Sequence, residues 1–168
     1  MSFDLKILIL GQNEPTNFHS TIDIISEDQE QLRYQTIWRF MSSMKGIMYS
    51  LGKTYENMFN AMSLIDTSFD NPKEYPYWIT DEDVISNLTP MRLQKEYEVE
   101  LKKLLKQMLQ HSPINMIMFM TRYQGGDTEI LCGTIKLSEF LDYIEKDKIL
   151  FNVCYIIEND ETSKLASI

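Results

Sequence analysis

The feature that most constrains the fold is an apolar run between Tyr34 and Ile65. Tyr34, Ile37, Met41, Met44, Met48, Leu51, Tyr55, Met58, Met62 and Ile65 follow one another at alternating intervals of three and four. That spacing puts them on one stripe of an α-helix. Phe40, Ile47, Phe59 and Leu64 widen the stripe to the breadth a core-facing helix needs. Ser26 and Asp28 offer N-terminal caps ahead of Gln29. Gly46 and Gly52 fall inside the pattern, each unfavourable by about 1 kcal/mol relative to alanine in a helix interior. The phase passes through both unchanged. The run therefore predicts one long helix over 28–66, bent near Ser50–Lys53, with two helices as the alternative.

The flanking segments read differently. Leu5–Leu10 is a mostly buried strand, ended by Gly11 and Pro15, and Thr21–Ile25 is a second. Residues 66–89 are irregular, with Asn71-Pro72 and Tyr75-Pro76 disfavouring helix. Thr89 and Pro90 suit the start of a helix over 90–111, whose inner face is Leu93, Tyr97, Leu101, Leu104 and Met108. Met116, Met118 and Met120 alternate with Ile117 and Phe119, so both faces of that strand are apolar and it belongs at the centre of a sheet. Gln124-Gly125-Gly126-Asp127 signals a hairpin, with Glu129–Leu137 returning antiparallel. Ser138 caps a short helix over 138–146, and Ile149–Ile157 is the last strand. The order predicts an α+β domain over 1–158: an antiparallel sheet with two long helices packed on one face and a short helix before the last strand. Residues 159–168 form a polar, frayed tail.

Composition narrows the class. The 168 residues carry 25 acids and 16 bases, a net charge of -9, which opposes a general nucleic-acid binder because phosphate contacts need a basic surface. There is no apolar stretch of about 20 residues to span a bilayer, and Leu5–Leu10 is too short for a signal sequence. Cys132 and Cys154 sit in apolar, strand-like surroundings, as buried thiols of a reducing compartment do. The expectation is a cytoplasmic protein without nucleic acid, membrane or cofactor.

No motif of catalysis stands out. His19 and His111 lack a second ligand at metal spacing, and His111 fits a helix C-terminus, where its partial charge meets the dipole. There is no Gly-x-Ser-x-Gly and no glycine-rich phosphate cradle. Asp81-Glu82-Asp83 and Glu96, Glu98 and Glu100 could form a carboxylate pair, as acidic chains commonly offer. The 11 methionines suit an adaptable core or, along the Tyr34–Ile65 stripe, a seam for self-association.

Charge placement is more specific. Residues 66–100 hold nine acids against Lys73, Arg92 and Lys95, which is two-thirds of the net charge in about a fifth of the chain. Tyr75, Tyr77 and Trp78 lie in the same stretch. Rings supply buried area and carboxylates steer a basic partner. The candidate partner-binding residues are Asp70, Glu74, Tyr75, Tyr77, Trp78, Asp81, Glu82 and Asp83.

A small, acidic, motif-free chain with an irregular α+β pattern resembles the immunity proteins of bacterial contact-dependent and other polymorphic toxin systems. The likeness is one of general character, so it carries over no site residue. It implies a binding protein that inhibits a toxin domain, nuclease-type, by masking its active site. The basic protein partner would be the toxin. The alternatives are a homodimer built on the 34–65 seam, and an enzyme whose site is an unrecognised carboxylate pair.

Overall fold

The computed structural model describes residues 3–27, 39–55, 58–60, 64–66, 90–123 and 130–161. Its centre is a six-stranded sheet of β1 (Phe3–Leu10), β2 (Ile24–Glu27), β3 (Gly46–Leu51), β6 (Met116–Tyr123), β7 (Ile130–Lys136) and β8 (Val153–Glu158). A separate two-stranded ribbon pairs β4 (Lys53–Tyr55) with β5 (Met58–Asn60). The helices are α1 (Arg39–Ser42), α2 (Lys95–Gln110) and α3 (Leu137–Glu145). The strand order is β2-β3-β1-β6-β8-β7, so N- and C-terminal strands share one sheet, as the sequence implied. The α+β class holds.

Strand period two divides the sheet into two faces. Leu5, Ile7 and Ile9 of β1, Tyr49 and Leu51 of β3, Ile117 and Phe119 of β6, and Val153, Tyr155 and Ile157 of β8 point to one side. There they meet Leu101, Leu104, Leu105, Met108 and Leu109 of α2, and Phe140 and Ile144 of α3. Phe140 is fully buried, edge-on to Phe119 at 4.9 Å and to Tyr155 at 5.3 Å between ring centres. The opposite face carries Leu8, Leu10, Met48, Met118, Met120 and Cys154, joined by Met41 of α1. Methionine thus serves as adaptable packing on that second face.

The long helix over 28–66 is not formed where the chain is described. Residues 46–51, 53–55 and 58–60 are strands, and only Arg39–Ser42 is helical. Helical spacing selected Met48 and Leu51 together, yet in β3 they lie on opposite faces, one in each core cluster. The decisive residue is Gly46. A Cβ there would stand 2.2 Å from the Ile9 carbonyl oxygen, because β3 packs its first residue directly on β1. Gly52 adopts φ +136°, which L side chains rarely take, and ends β3. Residues 28–38, 56, 57 and 61–63 of the expected helix lie outside the described residues.

Three smaller expectations shift. Helix α2 begins at Lys95 rather than Pro90, because residues 90–93 run extended. They bridge Pro90 to Leu150 and Leu93 to Ile65, burying Met91 and Leu93 on alternate positions. Strand β7 does not return beside β6. It pairs with β8 in parallel, with β8 inserted against β6. Parallel neighbours need a crossover, and α3 supplies it. Ser138 is not the cap of α3: its backbone N–H and hydroxyl donate to the Asp160 carboxylate at 3.2 and 2.9 Å. An acid brought from beyond β8 thus stabilises the positive end of that helix.

Candidate functional site

The eight residues predicted to bind a partner, Asp70, Glu74, Tyr75, Tyr77, Trp78, Asp81, Glu82 and Asp83, lie outside the described residues. Their neighbours in the acidic stretch are described, and most of them are engaged internally. Arg92 donates to Asp66, its Nη2 at 2.5 Å. Glu98 accepts from Lys95 at 3.2 Å and lies 3.6 Å from the Lys102 ammonium, one helical turn on. Glu100 accepts from the Ser20 hydroxyl at 2.9 Å. Glu96 is exposed. The described acids of 66–100 therefore serve largely as intramolecular ties. The local excess falls on 67–89, where Asp70, Glu74, Asp81, Glu82 and Asp83 face the one base Lys73 in sequence.

A second assembly forms where the 11–23 loop crosses β3 and β2. The Tyr49 hydroxyl donates to the Gln12 side-chain carbonyl at 2.6 Å and accepts from the Thr16 backbone N–H at 2.9 Å. Gln12 closes the ring by donating to the Thr16 hydroxyl at 2.8 Å. Burial pushes the Tyr49 phenol above its ordinary pKa, so it stays a neutral donor. Phe18 packs edge-on to Tyr49 and to His111, at 5.4 and 5.1 Å. Between this loop and β2 is a cavity of about 330 Å³, lined by Pro15, Thr16, Phe18, Ile24, Ser26 and Tyr49, among others. Sequence reading did not find it. A lone aromatic, Phe18, in an otherwise polar loop was the available signal.

A third cluster is charged and lies at one end of the methionine face. Asp4 opposes Arg122 across β1 and β6, and Lys6 opposes Ser50 across β1 and β3. Glu27 accepts from the Lys6 ammonium at 2.6 Å and also from the Ser50 hydroxyl. Lys6, Ser50 and Arg122 are all buried. Burial raises the Asp4 carboxyl above its ordinary pKa; Lys6 and Arg122 oppose that shift and Glu27 adds to it. Glu27 thus neutralises Lys6 directly, whereas for Asp4 the cost of burial outweighs the attraction of Lys6 and Arg122.

The remaining nucleophiles and ligands are quiet. Both cysteines are free and buried. They cannot bridge, because Cys132 belongs to the helix-covered face and Cys154 to the methionine face. Burial pushes the Cys132 thiol up to about 11, which keeps it protonated at neutral pH. His111 ends α2, and its Nδ1 is 2.8 Å from the Gln107 carbonyl oxygen, which fixes the proton on that nitrogen. Among the described residues no group of three or more His, Cys, Asp or Glu could hold a metal ion. Among them, too, no helix is long and apolar enough to cross a membrane.

The chain matches no protein-family model, no curated protein and no solved structure.

Proposed function

We propose that the chain is an acidic binding protein that neutralises a cationic protein partner. In the form its character suggests, it is a cytoplasmic immunity protein that masks the active site of a nuclease-type bacterial toxin. One observation carries this reading. Asp66, Glu98 and Glu100 are engaged in internal ties, whereas the adjoining 67–89 stretch has five acids against one base, together with the aromatics Tyr75, Tyr77 and Trp78. Carboxylates around rings suit recognition of a basic surface: charge steers the encounter and the rings supply buried area. The buried free thiols suit a reducing compartment.

The test uses the whole chain as bait in extracts of its source cells, beside a variant carrying Asp81→Lys, Glu82→Lys and Asp83→Lys. The expected partner is basic, is retained by the wild type and lost from the variant, and its nuclease activity stops when wild-type chain is added. Recovery of acidic or neutral partners only, or equal retention by the variant, overturns the proposal.

A further inference from the structure

Among the described residues the sheet has two edges, β2 and β7, and they are not equivalent. Strand β7 is interrupted by a register shift between Leu131 and Thr134, around Gly133. A bulge of that kind blunts an edge against further pairing. Strand β2 pairs with β3 in unbroken register from Ile24 opposite Leu51 to Glu27 opposite Met48. Gly52 N–H donates to the Asp23 carbonyl at 3.0 Å, which fixes the phase of the ladder. In an antiparallel pair the hydrogen-bonding residues alternate. Ile25 and Glu27 therefore turn their backbone groups toward β3, and Ile24 and Ser26 turn theirs outward. Ser26 and Ile25 are exposed. Ile24 and Ser26 also line the cavity beneath Thr16, Phe18 and Tyr49.

Among the described residues no strand lies beyond Ile24 and Ser26, and the same two residues border a side-chain cavity, an arrangement that suits an extended peptide. The backbone groups of Ile24 and Ser26 would hold the strand, and a side chain on the helix-covered side of the sheet would drop into the cavity. The Tyr49 hydroxyl is already satisfied and Phe18 and Ile24 give the cavity an apolar wall, with Thr16, Asn17 and Ser26 at its polar side, so it suits a side chain with an apolar body. The flanks select charge. Glu14 and Asp23 are exposed beside the lining residues Pro15 and Ile24, and neither forms an ion pair among the described residues. A second copy of β2 is a poor occupant. Antiparallel pairing about Ile25 would set Asp23 of each copy against the Lys6-paired Glu27 of the other, and so would offer Asp23 no basic group while joining two acidic chains.

We infer that the outer edge of β2 is a docking site for an extended, basic segment of a partner protein, with an apolar side chain seated between Phe18, Tyr49 and Ile24. This rests on the ladder phase and the cavity, and not on the acidic 70–83 stretch.

The experiment titrates the full chain, amide by amide in NMR, with a blocked heptapeptide of alternating threonine and valine, a central leucine and a lysine at each end. Saturable shifts confined to Thr16, Phe18, Ile24 and Ser26 are expected. Affinity should fall at least tenfold when alternate peptide nitrogens are methylated, and several-fold when the end lysines become glutamates. Ser26→Pro should abolish binding while leaving the fold intact, because the lost N–H points away from β3. Hydrogen exchange of the free chain gives a second readout: Ile25 and Glu27 amides protected, Ile24 and Ser26 fast. No saturable shift at millimolar peptide, equal binding of the glutamate-ended peptide, or a protected Ser26 amide overturns the inference. So does a concentration-dependent dimer that Ser26→Pro dissolves, which would assign the edge to a second copy. The Asp81→Lys, Glu82→Lys and Asp83→Lys substitutions of the bait experiment leave peptide binding unchanged if the two surfaces are distinct.

Discussion

Replacing Gly46 by alanine distinguishes a helix from a strand by the sign of its effect. In a helix interior, Gly→Ala stabilises by about 1 kcal/mol. In β3 the new Cβ would lie 2.2 Å from the Ile9 carbonyl oxygen, 3.0 Å from its carbon and 3.2 Å from the Leu10 Cα. All three are backbone atoms of the buried strand β1, which is held between β3 and β6 and has no flexible end to swing away. Relief requires the β1–β3 spacing to open locally, at the Gly46–Leu10 pair. Overpacking that moves backbone destabilises by about 3 kcal/mol. With a urea slope of about 2 kcal/mol/M, the unfolding midpoint falls by about 1.5 M. Gly133→Ala is the internal control: nothing lies within 4 Å of a Cβ built there, so its midpoint should move by less than about 0.3 M. Urea titrations followed by circular dichroism read both variants. A Gly46→Ala midpoint equal to or above wild type refutes the close packing of β3 on β1.

Four further outcomes follow from the same packing. Phe140→Ala removes a fully buried ring from between Phe119 and Tyr155 and should lower the unfolding free energy by about 4 kcal/mol in the same titration. Glu27→Gln weakens the charged acceptor of buried Lys6 and Ser50 and should cost about 2 kcal/mol by urea unfolding. Asp4 has a folded pKa raised by burial, so its neutral form is favoured in the fold: its stabilising contribution is complete below about pH 4 and is lost as pH rises through the folded value. Asp4→Asn should therefore match wild type in acid and exceed it at pH 7, read as unfolding free energy against pH; an equal deficit at both pH values refutes the assignment. Cys132 and Cys154 should react with a thiol reagent at pH 8 only as fast as the chain unfolds, and both should react at once in denaturant.

The fold was legible where one period dominated. Helix α2 announced itself through Leu101, Leu104 and Met108, and α3 through Phe140 and Ile144, because each buries one stripe and exposes the other. Strand β6 was legible as central, since Ile117 and Phe119 meet one layer while Met118 and Met120 meet another. The same two-sided burial hid β3. Ile47, Met48, Tyr49 and Leu51 are apolar on both faces, so period two vanished and a chance three-four spacing remained. Gly46 and Gly52 were the contrary signal, and their meaning is tertiary: one touches β1 and the other turns the chain. Parallel pairing of β7 with β8 was likewise not local, since a glycine turn says nothing about which strand fills the space beside β6. The acidic stretch was legible as charge. The Thr16–Phe18–Tyr49 cavity depended on a loop meeting a strand 33 residues on from Thr16, and had no spacing to reveal it.

The central claim is that charge on the 70–83 stretch brings a cationic partner to this chain. The association rate with the captured partner tests it most directly, measured at low and high salt for the wild type and for the Asp81→Lys, Glu82→Lys, Asp83→Lys variant. Steering predicts a fast wild-type rate at roughly 50 mM salt that falls at least tenfold by roughly 500 mM, with a slower and nearly salt-independent rate for the variant. A wild-type rate that is indifferent to salt, or unchanged by the three substitutions, contradicts it.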